Sequence, residues 1–170
     1  MTAMEKERAM SPAERQHHFE CRFVWTGAAQ GGTKSYDAYS RECRVDVPGK
    51  SSIRMSAAPV FRGDPKLANP EDLLVASLSA CHFLSYAALC ARNGVTMISY
   101  EDDASGTMSR FEGGFHFTDV LLKPKVTIAG GSDPEKAMAL HAKAHEECFI
   151  ASSVNFPVRH EPTVSVAAGV

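Results

Sequence analysis

The stretch from Asn69 to Asn93, NPEDLLVASLSACHFLSYAALCARN, constrains the fold more than any other part of the chain. Asn69 is suited to cap a helix and Pro70 to its first position, and Glu71 and Asp72 place negative charge in the first turn. Gly94 follows Asn93, a common way out of a helix. About 24 residues at ~1.5 Å each make a rod of roughly 36 Å. From Leu73 to Ala91 there is no Lys, Arg, Asp or Glu. Leu74, Leu78, Leu84 and Ala88 share a face with Cys81, and Ala76, Ala80, Phe83, Ala87 and Cys90 form another. A helix apolar on most sides is expected to be buried. The run nearly reaches bilayer length, but Ser77, Ser79, His82, Ser85 and Tyr86 dilute it, so a core helix of a soluble domain is expected.

The rest of the chain reads as one domain around that helix. A chain of 170 residues buries enough surface to fold without staples. A net charge of −2 argues against nucleic acid or anionic membrane as the main partner. No apolar segment opens the sequence, so a cytoplasmic location is expected, and five cysteines without a Cys-x-x-Cys pair suit reduced thiols. Residues 1–18 are charged and broken by Pro12, and read as a flexible arm ahead of a domain over 19–170.

Phe19, Cys21, Phe23 and Trp25 alternate with Glu20, Arg22, Val24 and Thr26, which predicts a half-buried strand. A second strand is expected within Thr33–Val47 and a third through Ile53, Met55 and Ala57, giving a β-meander. After the helix, 95–108 and 115–128 read as two strands joined across Glu112–Gly113–Gly114. Ser132-x-x-Glu135 with Pro134 fits a capping box, opening a helix to about Cys148 with Leu140, Ala144 and Cys148 buried. Phe149–Val154 suits a further helical turn, and 160–167 a closing strand. The order βββ-α-ββ-α-β is α+β.

Three groups of residues carry candidate chemistry. Cys81 is either a small apolar filler or a nucleophile, and it is inert unless a cation reaches it. Arg62, in the loop before the helix, is the nearest such cation, and Glu71 is placed to grip a guanidinium. His82 is next to Cys81 but projects about 100° away, so it is not an obvious base. His141, His145 and Cys148 share a face at i, i+4 and i+7, which suits either a partly exposed helix face or zinc. No second ligand cluster completes a four-ligand site, so no metal is expected. There is no phosphate-binding loop and no Gly-x-Ser-x-Gly elbow.

NPEDLLVASLSACHFL resembles the NPE-(E/Q)-L…A-A-C segment of the OsmC/Ohr family of thiol-dependent peroxidases. The likeness extends from about Phe19 to Val166 in element order. It includes an arginine seven residues before the Asn-Pro (Arg62 ahead of Asn69), a first cysteine twelve residues after it (Cys81), and a second at Cys148. The chain departs from the family at that second cysteine, where Cys-Pro-Val-Ser is replaced by Cys148-Phe149-Ile150-Ala151.

The resemblance implies a tight homodimer with interwoven sheets and reduction of organic, including fatty-acid, hydroperoxides in stress defence. Cys81 would be the attacking thiolate, Arg62 its cation, Glu71 the carboxylate orienting Arg62, and Cys148 the thiol that resolves the sulfenic acid to a disulfide. Phe61, Phe83 and Leu84 would form apolar walls. No cofactor is implied beyond an external dithiol, free or carried on a protein. The rival expectations are a non-catalytic dimer of the same fold that binds an apolar ligand or senses redox state, and a zinc-stabilised protein.

Overall fold

The computed structural model describes residues 16–168, and most of the expected arm, residues 1–15, lies outside the described residues. The chain divides into two compact units, residues 1–69 and 70–170. In the first, β1 (Arg22–Trp25), β2 (Cys43–Asp46) and β3 (Ile53–Met55) pair antiparallel in the order β1-β2-β3, the expected meander. The first strand is shorter than its alternation predicts, and Phe19 and Phe23 are exposed rather than half-buried. Trp25 closes the unit by donating from Nε1 to the Ser40 carbonyl at 2.7 Å.

The second unit begins with α1 (Pro70–Arg92). Gly94 at φ 71° turns the chain out of it, and the Val95 N–H caps the Cys90 carbonyl at 3.0 Å. By length and apolar composition α1 could cross a membrane, yet it serves here as the core helix of its unit. Its buried residues are Leu78, His82, Tyr86, Leu89 and Cys90, one stripe at helical spacing. The opposite face is open in the single chain: Leu84 is 64% exposed, because the unit supplies packing partners to a single face.

Each of the two expected long strands after α1 is broken in two. The strands are β4 (Met97–Asp102), β5 (Ser105–Phe111), β6 (Gly114–Leu122) and β7 (Pro124–Ile128). Asp102 is the pin at this break: its Oδ2 accepts from Ser79 Oγ on α1 at 2.5 Å, and its Oδ1 accepts from the Lys123 amide at 2.6 Å. The chain thereby passes from the sheet that holds β4 and β7 to the sheet that holds β5 and β6. The expected closing strand is split in the same way into β8 (Val158–His160), parallel to β6, and β9 (Thr163–Val166), parallel to β7. Pro162, between them, cannot donate to a ladder.

α2 (Pro134–Glu146) is capped by Asp133, not by Ser132. Asp133 Oδ1 accepts from the amides of Glu135 and Lys136, so the capping box expected from the Ser-x-x-Glu spacing is not formed. Ala137, His141 and Ala144 face inward and Leu140 packs at the margin. The buried core of the unit joins Tyr86, Leu89 and Cys90 of α1 to Val126 and Ile128 of β7 and Ala144 of α2. The fold is α+β, as expected, with more and shorter strands than the sequence pattern suggests.

Candidate active site

Cys81 sits midway along α1 and is half-buried. Cys148 lies two residues beyond α2 and is 1% exposed. The helix ends with the Cys148 N–H donating to the His145 carbonyl at 3.2 Å. A 3-10 turn at Ala151–Ser153 follows, in the place where a further helical turn was expected, and the Ser152 N–H donates back to the Cys148 carbonyl at 3.0 Å. This tight reversal brings the second cysteine to α1. The Ile150 N–H donates to Cys81 Sγ at 3.5 Å, and the Ala151 N–H donates to Cys148 Sγ at 3.5 Å.

The two sulfurs are not equivalent. Burial, reinforced by the Cys81 contact, pushes the Cys148 thiol up to about 11, while the Ala151 and Ile150 amides pull the other way. Cys148 is therefore protonated at neutral pH. All five cysteines are free thiols.

Next to the thiols runs a ladder of imidazoles. His82 Nε2 and His141 Nδ1 are 3.1 Å apart in nearly parallel rings, and the Tyr86 ring stacks on His141 with centroids 3.8 Å apart. His160 lies 5.5 Å from His82, and His145 lies 5.2 Å from His160, centroid to centroid. Burial, then the charges of His160 and His145, lowers His82 to about 4. Burial, then His82 and His160, lowers His141 to about 3. Both rings are neutral at pH 7. The zinc arrangement of His141, His145 and Cys148 is not formed, since His141 turns to His82 and His145 to His160. Among the described residues no three His, Cys, Asp or Glu side chains converge as a metal-binding group.

The structure brings Cys81 and Cys148 together, and places the other expected site residues as follows. Phe83 packs at 4.9 Å on Tyr100, and Leu84 points to solvent. Glu71, in the first turn of α1, has its Oε2 shielded from water without a hydrogen-bond partner among the described residues. In the first unit, Phe61 ends a 3-10 turn and is half-buried. Arg62 follows at φ 65°, the one non-glycine residue in the left-handed region among the described residues. A bulky residue held in that region marks a backbone the surroundings dictate. Its guanidinium pairs with Asp37 at 2.9 Å and lies 5.7 Å over the Tyr36 ring.

Sequence reasoning missed two parts of this region. A backbone amide leaves no mark in the side-chain alphabet, so the Ile150 donor was invisible. His160 is distant in sequence from His82 and His141, and the one available hint was His82 lying one turn from Tyr86 on α1.

Comparison with known proteins agrees with this architecture. The profile of the OsmC-like protein family matches residues 63–163. An OsmC-like protein of unknown function from Vibrio cholerae superposes with a TM-score of 0.77 at 30% identity, covering 87% of this chain and 100% of its own. YmaD of Bacillus subtilis is 24% identical over 156 residues, 90% of this chain and 97% of that protein. Peroxiredoxin OsmC of Escherichia coli is 30% identical over 70 residues, 41% of this chain and 48% of that protein. The matched span takes in α1, the four strands after it, α2 and both paired thiols, and on this ground the chain belongs to the OsmC-like protein family.

Proposed function

We propose that this chain is a cysteine-based, thiol-dependent peroxidase that reduces organic hydroperoxides to alcohols. The observation that carries the reading is the pairing of Cys81 and Cys148, the first half-buried and the second fully enclosed, across one turn of backbone. A relative named as a peroxiredoxin supports it. Cys81, as thiolate, attacks one peroxide oxygen; the O–O bond breaks, the alkoxide leaves and takes a proton, and Cys81 becomes a sulfenic acid. Cys148 then attacks that sulfur, a disulfide forms, and the hydroxide leaves as water with the Cys148 proton. An external dithiol reduces the disulfide and is itself oxidised.

In this proposal Arg62 is the cation that favours the Cys81 thiolate, as the resemblance implies, and Glu71 steers it. Phe61, Phe83 and Leu84 give the entering hydroperoxide an apolar wall. The uncovered face of α1 is closed by a second copy of the chain, so the working form is a homodimer without a cofactor.

Consumption of cumene hydroperoxide with excess dithiothreitol tests the reading. Turnover is expected in the native chain, none in Cys81→Ser, and in Cys148→Ser a sulfenic acid that dimedone traps. Equal turnover in native protein and Cys81→Ser would contradict it.

A further inference from the structure

We infer that the backbone N–H of Ile150 is a thiolate-holding donor to Cys81, a positioning group supplied by the main chain. The inference deepens the peroxidase reading and takes its purpose from it, but it stands on the geometry of the turn alone.

The accounting of amides around the turn leads to this assignment. The Cys148 N–H is used by the His145 carbonyl, the Ser152 N–H by the Cys148 carbonyl, and the Ser153 N–H by the Ile150 carbonyl. The amides of Ile150 and Ala151 lie between these and donate to sulfur instead. Sulfur is a weak acceptor when neutral and a much better one as thiolate, so these donors gain strength when either thiol ionises.

The side chains around the turn point the same way. Phe149 is 81% exposed, so its side chain is not fixed by packing in the chain's interior. What the turn contributes at the sulfurs is its backbone. The dithiol chemistry needs negative charge first on Cys81 and then on Cys148, and the turn gives each sulfur its own amide, Ile150 for Cys81 and Ala151 for Cys148.

The direct experiment replaces the Ile150 amide with an ester, by incorporating the α-hydroxy analogue of isoleucine at position 150 of the full chain. The side chain is kept and one N–H is lost. The readout is peptide-resolved iodoacetamide labelling of Cys81, free of any need for turnover. A lost charge-assisted hydrogen bond predicts about tenfold slower labelling at pH 7. Labelling at pH 10 should be unchanged. Ile150→Ala, which keeps the N–H, should label at the native rate, and so should Ser153→Ala, which controls for the weakened Phe149 carbonyl that Ser153 Oγ uses. Ile150→Pro is the genetically encoded counterpart and should follow the ester.

Native-rate labelling of the ester at pH 7 overturns the inference. So does an equal slowing at both pH values, which would mean altered access and not charge. A chain that labels as expected here but consumes no hydroperoxide would sink the peroxidase reading and leave this inference standing.

Discussion

Cys148 and His141 show how one property, exclusion of water, has opposite consequences for two kinds of group. Burial raises the thiol and keeps Cys148 protonated, while it lowers the imidazole and keeps His141 neutral. The first consequence predicts an order of reaction. With limiting iodoacetamide at pH 7, Cys81 should label at least tenfold faster than Cys148, and peptide mass spectrometry checks it; the reverse order would contradict the assignment of roles. The second predicts acid lability. His82 and His141 titrate lower in the folded chain than the usual 6.5, at about 4 and about 3. Above pH 6.5 both states are neutral and stability is flat. As pH falls below 6.5 the unfolded chain takes up protons that the folded one refuses, and stability drops by up to about 1.4 kcal/mol per pH unit for each imidazole. The loss levels off below about pH 3, once the folded rings are protonated too. Urea unfolding at pH 7.5 and pH 5 measures it, and His141→Phe should flatten the slope; a slope unchanged by that substitution would mean other groups carry it.

At the scale of elements, what was legible followed from local chemistry. The start and stop of α1 are written in Pro70, the acidic first turn and Gly94, and the hairpin between β5 and β6 in Glu112–Gly113. What was not legible depended on distant partners. Nothing local says that Asp102 will bind Ser79 and the Lys123 amide and so cut long strands into short ones. Ser132 and Asp133 are both good caps, and the backbone chose the second. In the candidate site the two cysteines were legible through motif spacing, whereas the Ile150 amide and His160 were not. Gly106 on β5 offers a test of the packing between α1 and the sheet. A Cβ there would meet Phe117 Cε1 at 2.6 Å and Val75 Cγ2 at 2.8 Å. Gly106→Ala should destabilise by about 1–3 kcal/mol, since an inserted methyl in a filled space displaces its neighbours. Thermal unfolding reads this out, and an unchanged melting temperature would contradict the packing described.

At the scale of the whole molecule, the unresolved need is cover for α1. Only 28% of its most apolar window is buried within the chain, and Leu84 stands out at 64% exposure beside the thiols. On the proposal that a second copy covers this face, light scattering is expected to give about twice the 18.4 kDa mass of one chain, and Leu84→Glu to shift the species toward one. A native chain that stays single at all concentrations would contradict the homodimer. The account's central claim is that Cys81 and Cys148 form one redox couple. The most direct measurement is disulfide mapping after one equivalent of an organic hydroperoxide. The predicted result is a Cys81–Cys148 link with Cys43 and Cys90 still reduced. Two unmodified thiols, or a link that bypasses Cys81, would contradict it.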